Sequence, residues 1–580
     1  MLEEFKEAWD ELTAPGAQFG MKEIEVRGIP MRVYESAPST MRFVWELATG
    51  YGDRDYLVYE DERYTFAESD AVIRALAHHL RDVHGIKEGD RVAVAMRNYP
   101  EWVFSYWAIA SLGAAVVGMN AWWTTDEMEY ALRDSAPTVM IADRERVERL
   151  LPILDRMRES GPLHVITVRY DGDLPEGADR WNDVIDVANA PAGLPEANID
   201  PDDDVCIFYT SGTTGFPKGA QLHHRGSVHN LLDLAFMSGV ATLAEAKAKE
   251  RAVAEGRAEP DAAPAAEAPA QAVFMAPTPL FHVTANNCLL HPCTIAGGKI
   301  VLTYKWDPAR ALELIEREGV TNFSGVPTMS REMLMHPDWE KRDTSTVQGM
   351  GGGGAPLQPD LVDKIDKSLS GGVPSTGYGL TETHGIVTAN SGLLYVAKPA
   401  SCGRIVPVLD AKLIDELGEE VPPGGTGELR VRGSVVVKGY LNKPEATEEA
   451  MPEGWFRTGD IARIDEDGYV FIVDRAKDMV LRGGENVYCS EVETVIYHHP
   501  AVAEAAVFGL PDDRLGEVVG VAIHLAPGAS LTDDELVAFL SEHLAKFKIP
   551  ERIWFLEDPL PQNANGKFLK RELKEQLAGA

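Results

Sequence analysis

The stretch VCIFYTSGTTGFPKG, residues 205–219, decides the fold class. Its first six residues are uncharged and mostly β-branched or aromatic, the composition of a short strand buried on both faces. The rest gathers hydroxyls and glycines around one lysine: Thr210, Ser211, Gly212, Thr213, Thr214, Gly215 and Lys218. Such a loop can turn several amides and hydroxyls toward one anion, because glycine permits close approach and dihedrals other residues avoid. It reads as a phosphate cradle at the end of a buried strand. A kinase-type P-loop would place Gly before the lysine and Ser or Thr after it. Here Pro217 precedes Lys218 and Gly219 follows it.

Upstream of that loop, residues 60–210 alternate helix and strand. Thr65 and Glu68 form a capping box ahead of the apolar-periodic stretch FAESDAVIRALAHHL, and Gly89-Asp90 introduces the strand RVAVAM. Helix, turn and buried strand in repetition predict an α/β domain with a mostly parallel sheet. Residues 102–125 carry no charge over a length sufficient to span a membrane. Pro100 before the run and Gly113, Gly118 and Asn120 within it predict a core helix followed by a core strand instead.

Downstream, residues 403–475 alternate in short runs (KLIDE, GELRVRG, YVFIVD) and predict β-hairpins in a smaller β-rich subdomain. From Asp474 onward the pattern predicts a compact α+β module. Residues 241–272 are Ala/Glu-rich and then Pro/Ala-rich, a composition that cannot build a core, and are read as a surface insertion, part helix and part linker. The 580 residues therefore divide into an N-terminal domain, 1–474, and a C-terminal domain, 475–580.

The net charge of −36 repels nucleic acid and anionic lipid, so an anionic ligand must be met by local amides, helix ends, metal ions or a few cations. Five cysteines give no disulfide framework. Cys288, His291 and Cys293 lack a fourth ligand at zinc spacing and are read as a buried structural cluster. The start MLEEFKEAWDEL has neither the basic flank nor the apolar core of a signal peptide, so a cytoplasmic protein is expected.

With the 209–219 loop, five further motifs occur in order: Gly354-Ala355-Pro356, GYGLTET at 377–383, GWFRTGD at 454–460, DRAKDMVLRGGENV at 474–487 and NANGKFLKREL at 563–573. Together they resemble the adenylate-forming superfamily of acyl-CoA synthetases, adenylation domains and luciferases. The resemblance implies an α/β fold: a large N-terminal domain of two α/β subdomains plus a β-rich one, with a small mobile α+β domain behind it. It implies ATP, Mg2+ and coenzyme A as cofactors, a small carboxylic acid as substrate, and a two-step ligase that forms an acyl-adenylate and then a thioester. A homodimer is compatible with it.

By the same resemblance, Glu382 holds magnesium and Thr381 contacts phosphate. Tyr378 and Gly379, with Gly354, Ala355 and Pro356, border the adenine. Asp460 and Arg475 bind the ribose, and Lys567 bridges the α-phosphate and the attacking carboxylate. Lys477 is the hinge about which Gly483, Gly484 and Glu485 are carried in to line a CoA tunnel.

By the same resemblance His282, after Phe281 in PLFHV, would flank the acid pocket. In the family's amino-acid-activating members an aspartate follows that phenylalanine to hold the ammonium, so histidine argues against amino-acid substrates. Apolar Val283 and Leu289 favour a medium- or long-chain fatty acid, with an aryl acid as the alternative. Transfer of the adenylate to a carrier protein or an amine, and obstruction of lid rotation by the 241–272 insertion, stay open on sequence alone. The glycine run GMGGGGAPL exceeds what adenine contact needs.

Overall fold

The computed structural model describes residues 2–210, 217–257, 270–354, 357–422, 424–483, 485–512, 514–563 and 566–577. A seven-stranded sheet comes first. From one edge to the other it runs Lys218–His223, Asp204–Thr210, Ala115–Gly118, Arg91–Ala95, Val139–Asp143, His164–Val168 and Ala178–Arg180. Every neighbouring pair is parallel except the first, where Lys218–His223 folds back antiparallel on Asp204–Thr210. The 209–219 loop therefore begins at the carboxyl end of a parallel strand, where open α/β sheets bind their ligands.

The helix Phe66–Asp82 starts with the expected box, since Thr65 and Glu68 each accept from the other's backbone N–H. Every residue of the helix Pro100–Ser111 is buried, and it continues through Gly113 (φ +70°) into the buried strand Ala115–Gly118. That is why the segment carries no charge through Met119: to that point it is covered on all sides by its own protein. No helix among the described residues is long and apolar enough to cross a membrane.

The second sheet has 13 strands. Its parallel centre runs Val373–Tyr378, Gly349–Gly352, Asn322–Gly325, Val273–Ala276, Lys299–Leu302 and Asp55–Tyr59. The β-rich 403–475 stretch forms antiparallel hairpins as its pattern predicted. Rather than closing on themselves, these hairpins extend the same sheet through Thr388–Ser391 and Gly403–Ile405. The reason is an open edge: Val373–Tyr378 turns back at Gly379 and pairs antiparallel with Thr388–Ser391.

Packing also accounts for the glycine run. A Cβ on Gly351 would lie 1.9 Å from the Ser375 carbonyl oxygen, and one on Gly352 2.0 Å from that of Gly325. Two neighbouring backbones approach too closely for any side chain there.

The chain leaves the second sheet along Tyr469–Arg475 and builds a five-stranded sheet of its own between Val480 and Leu556. The helix Cys489–Tyr497 packs on it through Val492 and Ile496. The Ala/Glu-rich half of the 241–272 segment continues the helix His224–Ala254, where Arg251 pairs with Glu3, Glu4 and Glu7 of the helix Leu2–Thr13. Residues 258–269 lie outside the described residues.

Candidate active site

Three strand ends and the C-terminal module converge. Glu382 sits in the short 3-10 turn Thr381–Thr383, directly after the strand Val373–Tyr378. The turn is tight because Gly379 faces Gly385, where a Cβ would lie 1.6 Å from the Gly385 carbonyl oxygen. It is clamped from the β-rich side by the Val437 N–H, which donates to the Glu382 carbonyl at 2.9 Å. The Glu382 side chain is 8% exposed, and its Oε1 accepts from the Tyr440 hydroxyl at 2.8 Å. Among the described residues no hydrogen bond engages its second oxygen, which leaves that oxygen for a cation. One carboxylate with one oxygen so disposed fits magnesium, which keeps most of its water and takes few protein ligands.

Tyr440 was not among the residues singled out from sequence. The only signal was its place in KGYLNKPEAT, just before the proline-led helix Pro444–Ala450. The Lys218 ammonium stands 5.1 Å from the Tyr440 ring centre, joining the start of the strand Lys218–His223 to Glu382 through one aromatic ring. Thr210 directs its hydroxyl at the Lys218 carbonyl, 3.5 Å away. Ser211, Gly212, Thr213, Thr214 and Gly215 lie outside the described residues, as do Ala355, Pro356 and Gly484. Thr381 is half-buried beside Glu382.

Asp460 is 2% exposed and divides its oxygens between two partners. Oδ2 accepts from the Tyr378 hydroxyl at 2.6 Å, and Oδ1 meets Arg475 Nε at 3.1 Å. The pairing of Phe456–Ile464 with Tyr469–Arg475 sets Asp460 opposite Arg475, so both reach one point from adjacent strands. Burial and the neighbouring Asp460 carboxylate push the Tyr378 phenol up, which keeps it a donor.

Lys567 reaches this group from the C-terminal module. Its Cε lies 3.9 Å from the position a Cβ would take on Gly354, whose own φ is +84°. A small turn presents it: the Lys567 N–H donates to Asn563 Oδ1, and the Asn563 N–H to the Lys567 carbonyl. Burial lowers the Lys567 ammonium to about 8. Arg475 and Lys477 act in the same direction, while Asp460 and Glu382 oppose them. Four cations, Lys218, Arg475, Lys477 and Lys567, thus stand around two buried carboxylates in a protein of net charge −36.

His282 precedes the short helix Val283–Ala285. Its Nε2 is buried without a hydrogen-bond partner among the described residues, and burial, with the Lys567 charge, lowers the ring to about 3. The imidazole is neutral and free to accept or donate. Asn98, a residue the sequence reading passed over, positions this stretch. Its Oδ1 accepts from the Leu280 N–H, and its Nδ2 donates to the carbonyls of Ala276 and Thr278.

The glycine hairpin is not at this centre. Gly483 (φ +61°) donates its N–H to Leu515, and Glu485 is exposed at the turn between Val480–Arg482 and Glu485–Val487. Cys293 and His291 are buried in the core, His291 against the rings of Tyr106 and Trp107, and burial lifts the Cys288 thiol to about 12.

The residue after the TET turn is itself a positioning device. His384 (φ +57°) accepts the His223 N–H at Nε2 and donates from Nδ1 to the Val435 carbonyl, with no surface exposed. Burial lowers it to about 3 from an ordinary 6.5. The unfolded chain therefore takes up this proton first, so the stability His384 contributes is whole above pH 6.5 and is lost as pH falls toward 3. We expect His384→Gln to cost about 1–3 kcal/mol near neutrality. It should also shrink the loss of stability between about pH 7 and about pH 5, read as denaturation midpoints. An unchanged pH slope would refute the assignment.

Comparison with known proteins identifies the family. Residues 44–441 match the model of the AMP-binding enzyme family, and residues 491–567 that of the AMP-binding enzyme C-terminal domain. The chain is 35% identical to a feruloyl-CoA synthase of an Amycolatopsis species, over 88% of this chain and 94% of that one. It is 32% identical to a long-chain-fatty-acid–CoA ligase of Salmonella typhimurium, over 92% and 93%. Among solved structures it resembles ATP-bound MatB from Rhodopseudomonas palustris, with a TM-score of 0.76 at 28% identity over 92% of this chain and 99% of that one. Site geometry and extent of match agree that the chain belongs to the AMP-binding enzymes of the adenylate-forming superfamily, in its acyl-CoA synthetase branch.

Proposed function

We propose that this enzyme is an ATP- and magnesium-dependent, AMP-forming acid:CoA ligase of the cytoplasm, acting on an apolar carboxylic acid. The observation that carries the reading is the approach of Lys567 to Gly354 within the field of Asp460, Arg475 and Glu382. In the first half-reaction a carboxylate oxygen attacks the α-phosphorus, and pyrophosphate leaves from the opposite side. Lys567, aligned between the two anions, stabilises the charge that grows there. Asp460 takes the ribose hydroxyls, Tyr378 borders the base, and Thr210 and Lys218 meet the phosphates. Glu382 is the residue that would hold magnesium, which supplies charge neutralisation at the pyrophosphate. In the second half-reaction the CoA thiol attacks the acyl carbon and AMP departs.

Between the two, the domain from 475 onward turns about Lys477. No described backbone hydrogen bond uses the Lys477 N–H, whereas Ala476 donates to Gly459, and Asp478 and Met479 donate to Arg475. A change of the dihedrals at Lys477 therefore breaks only the turn bonds from Asp478 and Met479 to Arg475 that close across it. Rotation withdraws Lys567 and brings Gly483, Gly484 and Glu485 to the centre. Lys477→Pro should therefore spare adenylation and slow thioester formation from supplied acyl-adenylate by about tenfold or more. Equal rates for both half-reactions in that variant and the parent would refute the hinge.

A medium- or long-chain fatty acid is the reading favoured by the buried apolar residues that flank His282 in the chain, Phe281, Val283 and Leu289. An aryl acid is the second reading. It rests on Trp122, which sets its ring edge-on to Phe281 at 5.7 Å with the Arg97 guanidinium stacked at 4.0 Å, a frame suited to a flat ring. The test is acid-dependent pyrophosphate exchange over a panel of fatty and aromatic acids, with and without CoA. Exchange without CoA and thioester only with it are expected. Product formed equally well without CoA would transfer the reading to another acceptor.

A further inference from the structure

We propose that His79, His84 and Asp179 bind one divalent ion of the zinc class and fasten the end of the helix Phe66–Asp82 to the outer edge of the first sheet. The three side chains offer ligand atoms that lie within 4.8 Å of one another. His79 Nε2 and His84 Nε2 face each other at 3.2 Å. Two nitrogens bound tetrahedrally to zinc at about 2.0–2.1 Å stand about 3.3 Å apart, so the pair has the bite of a metal site before any ion arrives. Imidazole with carboxylate is a donor set for zinc, nickel or copper rather than for magnesium or calcium.

The chain builds this pair by local means. After the helix, the N–H groups of Val83, Gly85 and Ile86 donate to the carbonyls of His79, Arg81 and Leu80, with Gly85 at φ +69°. The turn folds His84 back over His79 whether or not a metal is present, so little ordering remains for binding. The His164 ring lies 4.9 Å from that of His84 and restrains it from the far side. Asp179 comes from Ala178–Arg180, the outermost strand of the sheet, whereas the phosphate loop begins between the two strands at the opposite edge.

Asp179 faces the two imidazoles and offers its carboxylate to a divalent ion.

Chelator-treated full-length protein, titrated with zinc chloride by calorimetry and followed by thermal denaturation, tests the site. One equivalent should bind and raise the midpoint, as any ligand of the folded state does. His84→Gln, which sits on the turn, and Asp179→Asn, which sits on an edge strand, should each weaken zinc binding at least about tenfold, and together about a hundredfold. Neither should move the metal-free midpoint by more than a surface substitution does, or alter magnesium-dependent adenylation. Failure of the wild-type protein to bind zinc overturns the proposal, as does equal zinc affinity in the double variant.

Discussion

Lys567→Ala should slow acyl-adenylate formation by about two to three orders of magnitude, the range for removing one charge-stabilising donor from a water-poor site. Thioester formation from supplied acyl-adenylate should change far less, because the proposed lid rotation would withdraw Lys567 before that step. The structure adds a pH signature to this expectation. With its ammonium lowered to about 8, Lys567 loses its proton as pH rises through that value. The adenylation kcat/KM of the parent enzyme should fall above about pH 8, and the residual rate of Lys567→Ala should show no such limb. Equal losses in both half-reactions, or the same limb in both proteins, would refute the role.

Asp460→Ala carries the second-largest effect. The substitution removes the proposed ribose acceptor, orphans the Tyr378 hydroxyl and releases Arg475. Truncating one member of a buried, hydrogen-bonded charge pair costs about 2–5 kcal/mol, so adenylation kcat/KM should drop by about two orders of magnitude, mostly through the KM for ATP. Asp460 also raises Lys567, and without it the alkaline limb moves to lower pH. Asp460→Asn keeps an acceptor for Tyr378 and separates loss of fold from loss of binding. A KM for ATP unchanged in both variants would remove Asp460 from the nucleotide site.

Part of the site could be read one motif at a time. Glu382, Asp460, Arg475 and Lys567 each sit in a short run whose residue types suit one job, and the runs follow one another in order. Tyr440 could not be found that way. Its role exists only because the segment 436–441 crosses behind the TET turn, with Val437 bonded to the Glu382 backbone and Tyr440 to its side chain. Asn98 escaped for the same reason, since its three bonds reach residues about 180 positions away.

The uncharged run at 102–125 and the glycines at 349–354 divide the two kinds of knowledge. Proline, glycine and asparagine are local breakers, so helix and strand were written into the first segment regardless of what surrounds it. The glycines answer to backbones in neighbouring strands, which no local pattern encodes. Sequence by itself determined the α/β class, the helix caps and the chemical identity of the motifs, because these follow from bonding within a few residues. Only the tertiary structure decided which carboxylate oxygens are already engaged, where the C-terminal lysine rests, and that His79 and His84 face Asp179 across a sheet edge. Those are distances between segments, and packing alone sets them.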